Sequence, residues 1–511
     1  MTETAEVPAA IGDGGGTPHV RVAVIGTGFG GIGAAVRLKG VGIHDFVLLE
    51  RADAIGGTWR DNTYPGCACD VPSHLYSFSF APNPRWPRSF SAQPDIRRYL
   101  EDVVDRFGVR PHVRFHTEVL DATWVESERH WHLRTTTGEL TATVLISAAG
   151  PLSDPQVPAV PGLAGFSGEV WHSSRWNHDY DLTGKRVAVI GTGASAIQFV
   201  PRIQPRVGEL TVFQRTAPWI LPRADRPITR TERAVFSRSA LAQKAARAGV
   251  YLVREAEVPG FILTPAILRA AEVAGKAHIR RAIADPALRA AVTPNFRLGC
   301  KRVLLSNDWY PALTQPNVSL VNAGLTAVQG DTVVGSDGTR RDVDAIIFGT
   351  GFHVTDMPIA QRITGRGGVR LADRWADGME ALRGTTVHGY PNFFLLIGPN
   401  SGLSHSSMVF IIESQLNYVI DALVTMDRHQ LGTVEARHDA QQRWNALLDR
   451  RMKRTIWVNG GCHSWYQDAN GRVTTQWPSS TWRFRLVTRK FDVGEYRLTA
   501  TPALAVAARR E

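Results

Sequence analysis

The chain has 511 residues, 43% of them hydrophobic, with 47 glycines and a formal net charge of +11. That length exceeds one ordinary core and implies two or three domains, and the composition excludes a fibrous or disordered chain. The arginines are spread from Arg21 to Arg510 without a basic stripe interleaved with aromatics, so the charge suits phosphorylated small molecules and not nucleic acid.

Residues 1–18 are polar, acidic and glycine-rich, and lack the basic start and apolar run of a signal peptide. They are expected to form a flexible N-terminal segment. An apolar strand at 20–25 then enters a glycine turn at 26–31, followed by a helix through Leu38 and a strand at 46–50. Gly26, Gly28 and Gly31 hold the spacing of a dinucleotide turn. The first permits the bend, the second admits the pyrophosphate and the third lets helix and strand pack closely. Glu50 ends the second strand, where a carboxylate accepts hydrogen bonds from a ribose diol and repels a 2′-phosphate. This site is expected to hold FAD or NAD.

The first unit closes with a buried strand near 144–150, and prolines 151, 155, 158 and 161 mark a linker. Residues 187–193 repeat the heptad of 22–28, Val-Ala-Val-Ile-Gly-Thr-Gly. A strand at 186–190, a helix around 196–203 and a strand at 210–214 form a second unit. Gly191 and Gly193 are kept, Ser195 follows in the turn, and Ala196 takes the third glycine position. The second strand ends not on an acid but on Arg215 and Thr216, a guanidinium fork and a hydroxyl that select NADPH.

Helical text rich in alanine and arginine runs from 229 to 291, with breaks at Pro259-Gly260 and Thr264-Pro265. Strands return at 317–321 and 344–348, then at 392–397, before a long helix after Ser407. The expected fold is α/β, with two Rossmann-like dinucleotide-binding domains, the NADP domain inserted into the FAD domain, and a helical insertion. The boundaries read as 19–150 and 385–511 for FAD, 151–222 and 300–384 for NADP, and 223–299 for the helical subdomain.

The four cysteines are Cys67, Cys69, Cys300 and Cys462. The Cys-x-Cys spacing is too short for an ordinary disulfide, and no histidine cluster completes a metal site, so no metal is expected. A reduced, cytoplasmic protein is the simplest expectation. No run reaches the uninterrupted apolar length of an integral membrane segment.

Further segments exceed what generic dinucleotide binding needs. Gly56-Gly57-Thr58-Trp59 leads to Tyr64-Pro65-Gly66 and Asp70. Phe166, Gly168, His172 and Trp176 form an F-x-G-x-x-x-H-x-x-x-W pattern just before the second turn, and Cys300-Lys301-Arg302 precedes Trp309-Tyr310. From about residue 20 to the 465–485 region, the chain resembles the type I Baeyer–Villiger monooxygenases among the class B flavoprotein monooxygenases. It departs from them at Asn177, where proline or aspartate is usual.

The resemblance implies FAD and NADPH as cofactors, with O2 and a small-molecule ketone (or thioether) as substrates. Reduced flavin would form a C4a-peroxyflavin that converts the ketone to an ester or lactone. It implies Arg302 as the catalytic cation, Asp70 as its holder, and Lys301 beside Arg215 and Thr216 at the 2′-phosphate. Gly57, Thr58 and Trp59 would border the flavin. Phe166 to Trp176 would order the hinge between domains, with His172 a structural histidine. Ser404-His405-Ser406-Ser407 is read as a flavin-side wall, since no carboxylate spacing supports a hydrolase triad. Open alternatives are a flavin-containing monooxygenase acting on sulfur or nitrogen, a flavin-dependent NADPH reductase, and a non-catalytic flavoprotein. Oligomeric state is left open.

Overall fold

Short runs of β-branched and aliphatic residues build the molecule's two main sheets, whose central strands are buried on both faces while the outer strands are only partly covered. The computed structural model describes residues 16–501; the expected flexible segment of 1–18 lies outside them up to residue 15. The strands of the first sheet are β1 (His19–Ile25), β2 (Phe46–Leu49), β3 (Val113–Arg114), β4 (Val119–Val125), β5 (His130–Thr135) and β6 (Gly138–Ser147). The second sheet takes β7 (Glu169–His172), β8 (Arg186–Ile190), β9 (Glu209–Phe213), β10 (Val318–Val321) and β11 (Ala345–Phe348). The chain then returns to the first sheet through β12 (Ile363–Thr364) and β13 (Phe393–Leu395).

The first sheet runs β12-β4-β5-β6-β1-β2-β3, with β13 also on β6, and the second runs β10-β9-β8-β11-β7. Every pair in the second sheet is parallel, as are β1–β2 and β1–β6. Parallel pairing requires crossovers, and helices α1 (Phe29–Gly40) and α2 (Ala196–Ile203) supply them straight after the glycine turns. The second domain is thus nested in the first. The chain re-enters the first sheet at Ile363, on β4, ahead of the expected crossing at 385.

Between β9 and β10 lies the helical insertion, with α3 (Ala240–Glu255) and α4 (Arg269–Ala282) as its longest members. Helix α5 (Met408–Arg428) packs on α1. Gly33 permits that approach, because a Cβ there would lie 2.8 Å from Leu416 Cδ1 and 3.0 Å from the Phe78 ring. By length and mean hydropathy α5 alone among the described helices could cross a membrane, although Glu413 and Asp421 interrupt its apolar run. However, 72% of its most apolar window is buried in the protein, so its apolarity serves the core.

The structure also corrects the expectation of four thiols. Cys300 and Cys462, 162 residues apart, form a disulfide, while Cys67 and Cys69 are buried thiols. The pairing depends on how the insertion packs on the C-terminal region, which no local spacing reports. It removes the support that cysteine usage gave to a reduced compartment.

Candidate active site

Both glycine turns open onto one cavity of about 600 Å³. In the first, Gly26 adopts φ +98°, and a Cβ on it would lie 2.9 Å from the Ala148 carbonyl oxygen. A Cβ on Gly31 would lie 1.9 Å from the Gly26 oxygen. Gly57, at φ +51°, brings a second bare backbone segment against Gly28. The floor at the start of α1 is therefore main chain alone, and its N–H groups and helix dipole favour a pyrophosphate.

Glu50 is 3% exposed and sits just past β2. It accepts hydrogen bonds from the N–H of Thr27 at 3.2 Å and of Ala52 at 3.0 Å, and pairs with Arg60 at 2.7 Å. These contacts fix the carboxylate at the cavity wall, and cradle and carboxylate together fit the adenosine half of FAD.

The second turn repeats the device with different chemistry. A Cβ on Gly191, at φ +106°, would lie 2.6 Å from the Gly349 oxygen, while Gly193 and Ser195 line the cavity. Ala196 is fully buried, its Cβ facing Gly349. Past β9, Arg215 is exposed and Thr216 half-buried. Lys301 approaches from the far end of the insertion, and burial together with the Arg215 charge lowers its pKa. Cations converging beside this turn fit a 2′-phosphate.

Between the turns stands the pair expected from Asp70 and Arg302. Arg302 Nε donates to Asp70 Oδ2 at 3.0 Å, Nη2 to Oδ1 at 2.8 Å, and Nη1 to the Leu403 carbonyl at 3.0 Å. Burial works against the guanidinium charge, but Asp70 and Tyr466 more than offset it and hold the Arg302 pKa above the ordinary arginine value. Both side chains line the cavity.

Thr58 and Trp59 line it too. Trp59 Nε1 donates to Tyr76 at 3.0 Å, so this indole is tethered and not free core filling. The segment carrying Asp70 is clamped from the other domain. Gln198 of α2 accepts from Tyr64 at 3.0 Å and from the Ala68 N–H at 3.2 Å, and donates to the Ala68 carbonyl at 3.0 Å.

The F-x-G-x-x-x-H-x-x-x-W segment lies apart from these groups. His172 is 4% exposed and accepts from the Ser174 N–H at 3.1 Å, capping a short helical turn. Burial lowers its pKa to about 4, so the ring is neutral. A Cβ on Gly168 would meet the Asp344 oxygen at 2.3 Å and the Phe166 ring at 2.6 Å. Trp176 packs edge-on against Trp171 and tilted against Phe199. Asn177 accepts from the Asp179 N–H at 3.1 Å, a local turn that accommodates the departure from the usual residue.

Some groups at the site leave no mark in the sequence. The Leu403 carbonyl is backbone and has no side-chain signature. Tyr466 lies in an aromatic stretch whose spacing names no partner; it is fully buried, with the Ser404 hydroxyl 3.2 Å from its own. His405, expected at the flavin wall, instead meets Glu255 of α3 at 3.2 Å, joining the insertion to the loop that carries Leu403.

A sequence model described as pyridine nucleotide-disulphide oxidoreductase matches residues 23–228, which span both turns. The cysteines it spans are Cys67 and Cys69, spaced Cys-x-Cys and both buried. A Baeyer–Villiger monooxygenase of Streptomyces coelicolor is 57% identical over 483 residues, covering 94% of this chain and 93% of that protein.

The chain belongs to the Baeyer–Villiger monooxygenase family.

The solved structure of OTEMO in complex with FAD and NADP matches 95% of this monooxygenase and 100% of its own chain, at 27% identity and TM-score 0.85. Cyclohexanone monooxygenase of Rhodococcus sp. Phi1, bound to NADP+, matches the same shares at 29% identity and TM-score 0.83. This Baeyer–Villiger monooxygenase uses FAD and NADPH, and with O2 it converts ketones to esters or lactones.

Proposed function

We propose that Arg302 is the catalytic cation of this reaction and Asp70 its positioning residue. Bound FAD, once reduced by NADPH, supplies the oxygen activation. Arg302 supplies positive charge where negative oxygen develops, in a cavity whose walls include the apolar side chains of Leu403, Met408, Val409 and Ile412. Three of its N–H groups are committed to Asp70 and Leu403, which fixes the fork and leaves one donor each on Nη1 and Nη2. Gly26, Gly28, Gly31, Glu50, Gly57, Thr58 and Trp59 form the FAD side. Gly191, Gly193, Ser195, Ala196, Arg215, Thr216 and Lys301 form the NADPH side. Phe166, Gly168, His172 and Trp176 order the connection between the domains. The FAD-binding domain is then best drawn as 19–150 plus the chain from 363 onward, a division supported by the pairing of β12 with β4.

The bidentate Asp70–Arg302 pair at the junction of both turns carries this reading. Its test is Arg302→Met assayed in two half-reactions. Flavin bleaching by NADPH under nitrogen should persist, while ketone oxygenation falls by about 10²-fold or more. Oxygenation within a few-fold of the parent enzyme would remove Arg302 from the role. The screen should cover cyclic, linear and aryl ketones beside thioethers, with products identified by mass.

A further inference from the structure

The Cys300–Cys462 disulfide stands one residue from Lys301 and two from Arg302. Cys300 is fully buried, and Cys462 is half-buried. On the other arm, Cys462 precedes Trp465, which lines the cavity, and Tyr466, whose hydroxyl acts electrostatically on Arg302. Two further contacts lace the arms together. The Arg297 N–H donates to the Gly460 carbonyl at 2.9 Å. Gly460 lies flat on the disulfide, and a Cβ there would lie 2.5 Å from Cys300 Cβ and 2.7 Å from its sulfur. Beneath them Cys300 joins an apolar cluster that includes Phe261, Phe296, Trp457 and Tyr466, drawn from the insertion and the C-terminal region.

We infer that Cys300 and Cys462 are a positioning pair: their bond holds the Lys301–Arg302 strap against the 460–466 segment and thereby sets the preference for NADPH. The inference rests on the proposed role of Lys301 at the 2′-phosphate. Arg302 has its own anchors in Asp70 and Leu403. Lys301 has burial and the repulsion of Arg215 working against its charge, and its Nζ rests 5.1 Å from the centre of the Phe296 ring, in the same apolar cluster as Cys300, so its position depends on what holds that cluster and the strap together. Opening the bond lets Lys301 withdraw from Arg215 and weakens the hold on the 2′-phosphate, while NADH, which lacks that phosphate, is unaffected. A water-soluble phosphine opens it in a balanced step. Phosphorus gives two electrons to the S–S bond and takes oxygen from water as phosphine oxide, and the two water protons complete the two thiols.

The holoenzyme is treated with or without phosphine under nitrogen, the reagent is removed, and steady-state kinetics with a ketone are then measured in air-saturated buffer. Native alkylation followed by intact mass counts reactive thiols; Cys67 and Cys69 stay silent, because burial holds their thiols protonated. Reduction should expose the Cys300–Cys462 pair and raise KM for NADPH by about fivefold or more, with kcat and the KM for NADH within about twofold. Cys462→Ser should show the same NADPH-specific rise without phosphine and no further response to it. Confirmed reduction with unchanged NADPH kinetics overturns the inference. So does a parallel loss with NADPH and NADH, which reports general loosening, or a native enzyme already alkylated at Cys300 and Cys462. Lys301→Ala separates the two layers. If it leaves NADPH kinetics unchanged, the 2′-phosphate reading fails and takes the tether with it. If it raises KM for NADPH while reduction does not, the tether alone fails.

Discussion

Arg302 is a cation fixed by partners on two different segments, and so its charge and its direction are set together. Arg215 and Lys301 differ from it: one is exposed, and the other is partly buried beside a like charge. Bringing a phosphate between them relieves that repulsion, and each charge-assisted contact contributes about 1.5–3 kcal/mol. Arg215→Ala is expected to raise KM for NADPH by about tenfold or more and to leave NADH nearly unchanged, as read from steady-state kinetics with both cofactors. A different residue-scale effect belongs to His172. Burial depresses its pKa to about 4, whereas the unfolded ring takes up a proton near its ordinary value of 6.5. Between those values the unfolded chain binds more protons than the folded one. The stability contributed by the neutral ring is therefore full above about 6.5 and lost as pH falls toward about 4. His172→Asn, which keeps an acceptor for the Ser174 N–H, should flatten that part of the Tm–pH curve. An unchanged slope would assign the acid sensitivity to other groups.

The glycine turns act as elements, because each couples a strand end, a bare backbone floor and a helix start. At Gly31 even one methyl would overlap the Gly26 oxygen, with only 1.9 Å between them. Gly31→Ala must shift the turn, at a cost of about 1–3 kcal/mol or more. It should emerge with its flavin content reduced by about tenfold, measured from visible absorbance against protein concentration. Gly193→Ala is the contrast. A Cβ there meets nothing closer than 3.8 Å, so the fold should be kept and only the approach of NADPH impaired. These elements were legible in the sequence because strand, turn and helix are contiguous. Helix α5 was legible as well, as the long helix expected after Ser407, but that its apolar face is buried against α1 came only from the packing.

At the scale of the molecule, the two cofactor domains meet across a polar clamp. Gln198 of α2 holds the backbone at Ala68, just ahead of Asp70, so the NADP domain helps to place the carboxylate that holds Arg302. Gln198→Ala leaves the Ala68 N–H and carbonyl without those partners, a loss of about 1–3 kcal/mol at the seam. Flavin reduction by NADPH should slow by about tenfold in stopped flow, while reduction by dithionite, which needs no second domain, keeps its rate. Equal slowing of both would place the fault in the flavin site itself.

By itself the sequence indicated two dinucleotide turns, their order along the chain, and a carboxylate after the first where an arginine follows the second. Glu50 and Arg215 follow their turns within one βαβ unit, and within such a unit a residue's position along the chain fixes its position in space. No local spacing said what meets between those sites: the family resemblance implied the Asp70–Arg302 pair, and only the tertiary structure showed its geometry and supplied the Leu403 and Cys462 contacts. Asp70 and Arg302 are 232 residues apart, Arg302 and the Leu403 carbonyl 101, and Cys300 and Cys462 162. Such contacts arise from the packing of the FAD domain, the NADP domain and the helical insertion on one another. One of them uses a backbone oxygen that every residue possesses, so no pattern of side chains could announce it.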